Sequence, residues 1–270
     1  MEYLKNGAGT KLSHNLFRLF TVTAAQQFWL LRVYTIRSNL INQVFAFIKI
    51  NMTITKYIHS CLLLEKDGQQ LLFDPGKFSF IEGLVSPDEF ANVSYIIITH
   101  DHPDHLDVPA LKQIVSVSQA QVWSTGEVAE KLKPEGIAVN EIREGTFQLG
   151  PFALRAISVP HEPILDNKLP MMFAFLIDEY ILNTADSLDD KLLTYKGVDL
   201  LMLPVTAPFL TELTVARFTE RLQPKQILPL HDGYIKPFFV TQRYDNYEPY
   251  FAKRGIHFHR LEKPGQGITV

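Results

Sequence analysis

An α/β domain in which helices flank two sheets is the fold class that this 270-residue sequence predicts, from three observations. From Met52 onward, short β-branched or aromatic runs alternate with helical patterns and turn signals. Two of those runs, Val93–Thr99 and Leu200–Val205, are continuously apolar, as strands covered on both faces must be. Hydrophobic residues make up 46% and charged residues 20%, enough apolar matter for a real core at this length. That balance excludes a disordered, collagen-like or disulfide-stapled chain.

Taken in order, Thr53–Glu65 and Gln69–Phe73 read as two strands joined by a turn at Lys66-Asp67-Gly68-Gln69, and Asp74-Pro75-Gly76 ends the second. Val93–Thr99 is the first buried strand. Pro109–Val117 has a helical pattern, Ala120–Ser124 is strand-like, and Glu127–Lys133 is a short helix stopped by Pro134. Phe152–Val159 and Met172–Asp178 are strands, and Tyr180–Asn183 continues after a tight turn. Leu188–Thr194 reads as a helix, Leu200–Val205 as the second buried strand and Thr211–Leu222 as an amphipathic helix. Gln226–Leu230 is a strand, and a helix over Asp245–Arg254 precedes a closing strand near Ile256–Leu261. No repeat or flexible linker interrupts residues 52–270, which are read as one domain.

Residues 1–51 differ in charge. Six Lys/Arg face one acid there, a net +5, against −8 over the remainder. Three readings fit this basic extension: upstream sequence ahead of a true start at Met52, a peripheral helix, or a targeting segment. Lys5, Lys11 and Arg18 precede a charge-free stretch, Leu19–Leu31, but Gln26 and Gln27 interrupt it and no small-x-small cleavage site follows. No run of 18 apolar residues offers a membrane span. The single cysteine, Cys61, rules out an intrachain disulfide and, with no clean signal, points to the cytoplasm. A net charge of −3 gives no general pull toward nucleic acid.

The chemistry sits where strands end. Directly after Val93–Thr99 comes His100-Asp101-His102-Pro103-Asp104-His105, three histidines and two aspartates within six residues, an H-x-H-x-D-H pattern. Imidazole nitrogen and carboxylate oxygen suit zinc, manganese or iron. Three more candidates each follow a strand: His161 in Val-Pro-His-Glu, Asp186 in Asn-Thr-Ala-Asp-Ser, and His231 in Leu-Pro-Leu-His-Asp-Gly. Singly, such a histidine is an ordinary surface or core residue and such an aspartate a helix cap. Their order and shared placement carry the signal.

With these motifs the sequence resembles the metallo-β-lactamase-fold hydrolase superfamily over roughly residues 53–270. The resemblance implies an αββα sandwich with the site at one edge, between the sheets. It implies two divalent metal ions, one held by His100, His102 and His161 and the other by Asp104, His105 and His231, with Asp186 bridging. Zinc is the default for so histidine-rich a site, and manganese or iron fits the same donors. A water between two such cations becomes a nucleophile near neutral pH, and Asp104 is the residue expected to orient or deprotonate it. Asp74 matches the family's early aspartate, which orients the histidine loop. His59, on the first strand, is a substrate-binding, acidic or structural residue, and Cys61 would share its face as a core thiol. Asp101 and Asp232, next to ligands, are expected to hydrogen-bond imidazoles. His257 and His259 are given a surface or edge role.

For substrate, the large insert of the superfamily's nucleases has no room between His161 and His231. The segments 163–172, 78–84 and 208–209 predict a mostly apolar rim with few basic groups. The His59-Ser-Cys opening and the compact length look most like the branch related to ascorbate-phosphate lactonase and uncharacterised metal-dependent hydrolases. A small ester, lactone or phosphoester is the expected substrate. The alternative is a non-catalytic or partner-docking module with a structural metal. Homo-oligomers are common in the family, though no stretch here marks an interface.

Overall fold

The computed structural model describes residues 52–165 and 168–270, so the expectations for residues 1–51 lie outside the described residues. The first six strands are β1 (Thr53–Lys56), β2 (Leu62–Lys66), β3 (Gln69–Phe73), β4 (Tyr95–Ile97), β5 (Gln121–Ser124) and β6 (Val139–Glu141). They form one sheet in sequence order, antiparallel across β1–β2–β3 and parallel from β3 to β6. The second sheet holds β7 (Gly145–Leu149), β8 (Phe152–Val159), β9 (Met172–Ile177), β10 (Ile181–Asn183), β11 (Leu200–Pro204), β12 (Gln226–Leu230) and β13 (His257–Phe258). It is an antiparallel meander to β10 and parallel from there to β13. The last strand, β14 (Gln266–Thr269), returns to the first sheet and pairs antiparallel with β1.

Side chains alternate across each strand, so a strand covered on both sides must be apolar throughout. In β11, Leu200 and Met202 enter the core between the sheets, while Leu201 and Leu203 face outward. In β9, Phe173, Phe175 and Ile177 point inward and Met172, Ala174 and Leu176 outward. Helices cover those outer faces. Among the described residues the α-helices are α1 (Lys77–Phe80), α2 (Val108–Ser118), α3 (Gly126–Leu132), α4 (Glu212–Leu222) and α5 (Pro237–Ala252). Leu111, Ile114, Val128 and Leu132 from α2 and α3 pack with Leu72 and Ile96 of the first sheet. Val215, Phe218 and Leu222 of α4 and Tyr244, Tyr247 and Phe251 of α5 pack on the second. This is the expected αββα sandwich, in four layers.

Several elements depart from expectation. The predicted single strand Thr53–Glu65 is two strands, β1 and β2, folded back at Tyr57–Cys61. Tyr57 N–H donates to the Cys61 carbonyl (2.9 Å), Cys61 N–H donates to the Ile58 carbonyl (3.1 Å), and His59 adopts a left-handed φ of 66°. His59 therefore sits on a turn, and the shared strand face expected for Cys61 does not exist. Cys61 is buried, and burial pushes its thiol pKa up. Asp190–Tyr195 winds as a 3₁₀ helix where an α-helix over 188–194 was expected. The helix expected from Asp245 begins at Pro237, whose fixed φ suits a first turn. Among the described residues no helix is long and apolar enough to cross a membrane.

Candidate metal centre

Topology gathers the chemistry-bearing loops at one edge. Within each sheet β1 runs in the same direction as β3 and β4, and β8 in the same direction as β10 and β12, so their C-terminal ends share an edge. Beyond those ends lie His59, Asp74, the 100–105 loop, His161, Asp186 and His231 in turn. Four residues of these loops, His59, Asp74, Ala185 and His231, have positive φ between 46° and 66°. Non-glycine residues rarely hold that conformation, and it concentrates where surroundings enforce a functional geometry.

Asp186 is the focus. Its Oδ2 lies 3.1 Å from His231 Nε2, 3.2 Å from His105 Nε2, 3.3 Å from His161 Nε2 and 3.8 Å from His100 Nε2. Asp104 Oδ2 lies 3.3 Å from His231 Nε2 and 3.9 Å from His105 Nε2. His102 Nδ1 stands 3.0 Å from His100 Nε2. The donor atoms fall into two clusters, His100, His102, His161 and Asp186 in one, His59, Asp104, His105 and His231 in the other, each within 4.8 Å. Nearly all are buried, and Asp186 and His100 fully so.

The neighbours of these rings fix their orientation. Asp74 Oδ2 accepts from His105 Nδ1 (2.8 Å) and from the Thr99 hydroxyl (2.9 Å), while its Oδ1 accepts from Thr99 N–H (2.7 Å). Having given its hydrogen to Asp74, Thr99 Oγ1 accepts from His100 Nδ1 (2.9 Å). His231 Nδ1 donates to the Thr206 carbonyl (2.8 Å) and His161 Nδ1 to the Glu162 carbonyl (2.6 Å). Each Nδ1 proton is thus committed outward, and each Nε2 turns its lone pair inward. The Nε2 atoms of His105, His161 and His231 are buried with no hydrogen-bond partner. Buried polar atoms are almost always satisfied. Three orphans aimed at one carboxylate fit a bound cation, and the donor set suits zinc, manganese or iron. Asp74 thus ties His105 to Thr99 at the end of the strand.

Electrostatics agree with this. Burial opposes charge on Asp186, yet His231 and His105 hold its pKa well below the ordinary carboxylate value. Burial also opposes charge on Asp104, and His105, His231 and His59 outweigh it in the same direction. Burial disfavours a charged His231, but Asp186 and Asp104 raise it to about 9. His100 is lowered well below the ordinary value by burial and by His105. With no cation between them, the carboxylates draw protons onto the rings. A metal would take the place of those protons.

Two expectations are corrected. Asp232 does not hydrogen-bond an imidazole. It is buried against Lys56, whose Nζ also donates to Tyr244 Oη (3.0 Å) and to the Leu261 carbonyl (3.3 Å), and the Tyr244 hydroxyl donates to Asp232. Asp101 pairs with Lys131 at the surface instead. Breaking a buried pair strands a charge, so Lys56→Met is expected to destabilise the fold by about 3–5 kcal/mol. The double variant Lys56→Met/Asp232→Leu should recover most of that in urea denaturation, since no charge is then left unpaired. His257 lies on β13, and His259 Nε2 meets Gln226 Oε1 at 2.9 Å, away from the centre.

The rim is aromatic. Phe78 lies edge-on to His59 (centroids 5.1 Å), and Phe209 approaches His161 (5.2 Å) and His231 (5.8 Å). Tyr234 stands 5.9 Å from His231 and 6.0 Å from His59, with its hydroxyl 3.2 Å from Thr206 Oγ1. Sequence reasoning missed Tyr234, Thr99 and Lys56. The only signal for Tyr234 was its place three residues after His231. Lys168, Leu169, Pro170 and Met171 line a hollow with Asp101, His102 and Glu127, so charged groups stand in the rim beside the apolar ones. Glu127 Oε2 anchors that segment by accepting from Met171 N–H (2.7 Å).

Comparison with known proteins agrees with this geometry. A family model described as beta-lactamase superfamily domain matches residues 53–231. Protein Rv0786c of Mycobacterium tuberculosis is 28% identical over 219 residues, covering 78% of this chain and 91% of that protein. A UPF0173 metal-dependent hydrolase of Carboxydothermus hydrogenoformans is 27% identical over 194 residues, 67% of this chain and 84% of the relative. Among solved structures, Igni18, a metallo hydrolase of the archaeon Ignicoccus hospitalis, aligns with a TM-score of 0.64 at 18% identity. That alignment covers 82% of this chain and 98% of Igni18, and supports the fold alone.

Proposed function

Because the chain belongs to the beta-lactamase superfamily, we propose that residues 52–270 form a metal-dependent hydrolase domain with two divalent cations, zinc by default. His100, His102 and His161 would hold one and Asp104, His105 and His231 the other, with Asp186 able to serve both. The observation that carries this reading is the convergence of four Nε2 atoms within 3.8 Å of Asp186 Oδ2, three of them otherwise unpartnered. The relative named as a metal-dependent hydrolase supports it. Two cations would lower the pKa of a water between them toward neutrality and polarise a carbonyl or phosphoryl oxygen.

The chain's own residues supply the rest. Thr99, Asp74, Thr206 and Glu162 hold the imidazoles as neutral ligands with Nε2 inward, removing the cost of reorienting them. Asp104, in the ligand loop and the less buried of the two central carboxylates, would orient the attacking water or accept its proton. Phe78, Phe209 and Tyr234 exclude bulk water and offer apolar contact to the substrate. A small ester, lactone or phosphoester suits such an aromatic rim, where among the described residues basic groups are few.

The test is hydrolysis of a panel by the full chain, with chelator and then metal add-back. The panel holds a lactone, a thioester, bis(p-nitrophenyl) phosphate and a cephalosporin. Chelator-sensitive turnover of one class is expected, at least about 10²-fold above the stripped protein. No turnover from protein carrying two metal equivalents would overturn the small-ester reading. If chelation then removed only thermal stability, the metal would be structural.

A further inference from the structure

His59 is grouped with Asp104, His105 and His231 by distance alone, and on that basis it would be a ligand of the second cation. Its hydrogen-bond partners say otherwise. The rings of His100, His105, His161 and His231 each present Nδ1 to an oxygen that can accept a proton. His59 Nδ1 instead receives a hydrogen bond from the backbone N–H of Gly233, at 3.1 Å. An N–H aimed at Nδ1 requires a lone pair there, so the ring's single proton must sit on Nε2. Nε2 lies 3.1 Å from Asp104 Oδ2, an acceptor. Turning the ring over would set carbon against both partners and lose both bonds.

We infer that His59 is not a ligand: it is held as the Nε2–H tautomer and donates to Asp104 Oδ2, fixing the carboxylate that serves the second cation. This rests on the dinuclear reading above for its consequence, though not for the tautomer itself. A ring nitrogen that carries a proton has no lone pair for a metal.

A second feature of the fold enforces the arrangement. A Cβ on Gly233 would stand 2.9 Å from His59 Cβ and 2.6 Å from Ile58 Cγ2. Only glycine lets the 231–233 backbone approach the turn closely enough to present that N–H. His231 N–H donates to the His59 carbonyl (3.2 Å), so ligand His231 and the turn of His59 are fastened to each other. Phe78 and Tyr234 close over the ring, which is fully buried. His59 is thus a positioning residue, acting through Asp104.

The experiment reads the tautomer directly. In two-bond ¹H–¹⁵N spectra of histidine-labelled, zinc-loaded full-length protein, His59, assigned by its loss in His59→Asn, is expected as Nε2–H with no shift typical of a coordinated nitrogen. Zinc titration then separates the roles. Asn keeps an oxygen near the Nδ1 position and suits the left-handed φ, but lacks the Nε2 donor; Gln carries an amide N–H to about that point. His59→Asn is expected to bind as many zinc equivalents as the parent, with the weaker one loosened about 10- to 100-fold. His59→Gln should restore part of the loss. An Nδ1–H tautomer, a coordinated-nitrogen shift, loss of a whole zinc equivalent in both variants, or unchanged zinc affinity in both would overturn the inference. A parent protein that takes up no zinc would instead overturn the dinuclear reading, while the spectrum still decided the tautomer.

Discussion

Asp186→Asn is expected to abolish turnover, by on the order of 10³-fold or more, and to lower bound zinc below two equivalents while leaving the secondary structure intact. The expectation follows from geometry. Asp186 Oδ2 is the point on which four imidazole nitrogens converge, and both donor clusters meet there. Asn keeps the volume, so the αββα layers have no cavity to absorb, and the Ala185-Asp186 backbone keeps its place. What goes is the negative charge. Without it, His105 and His231 face each other beside a neutral amide, and a bound cation loses its shared counter-charge. Metal bound to the folded protein raises its melting temperature by mass action, so the rise in Tm on adding zinc should also shrink sharply. Atomic emission, turnover and a thermal scan decide it. Asp190→Asn is the control: Asp190 meets Arg221 at the surface, and this variant should keep two equivalents and full turnover. Two tightly held zincs in Asp186→Asn would show that the bridging assignment is wrong.

The ligand loops were legible because the physics that places them is local. Each follows a strand whose apolar run is visible in sequence, and side-chain alternation in a sandwich makes those runs obligatory. Asp74 could be read through the family resemblance, with Asp-Pro-Gly marking the end of a strand. Asp232 could not, because its partner Lys56 lies 176 positions away and nothing near Asp232 announces a buried cation. The turn at His59 hid for a related reason. Tyr-Ile-His-Ser-Cys contains neither Gly nor Pro, and its left-handed residue is held by contacts from Gly233, not by local propensity. The edge strands β6 and β7 were missed because they are half-exposed and polar, so neither period appears. β14 was missed likewise: its residues earn a strand only by pairing with β1 at the far end of the chain.

The same separation between local and distant causes predicts the effect of one methyl group. Gly76→Ala is expected to destabilise the protein by about 3 kcal/mol or more and to cut turnover by about 10²-fold. The φ of Gly76 is −87°, ordinary for any residue, so backbone strain is not the reason. Space is. A Cβ there would lie 1.8 Å from the Asp104 carbonyl oxygen, 2.1 Å from its carbon and 2.6 Å from His105 N. All three are backbone atoms of the ligand loop and cannot swing aside as a side-chain tip can. The loop is also fastened to this segment on both sides of the contact. Lys77 N–H donates to the Pro103 carbonyl (2.8 Å) and Asp107 N–H to the Pro75 carbonyl (3.1 Å). To admit the methyl, one of these bonds must stretch or Asp104 and His105 must move by more than an ångström. Both outcomes misplace Asp104 and His105, the donors proposed for the second cation, so weakened zinc binding should accompany the loss of stability. Gly126→Ala is the matched control. At the first turn of α3 its Cβ would meet only the Glu141 carboxylate, at 3.5 Å, an ordinary contact. Urea denaturation and zinc titration of the two variants separate the cases: equal stability in both would mean that the 74–76 segment does not clamp the ligand loop.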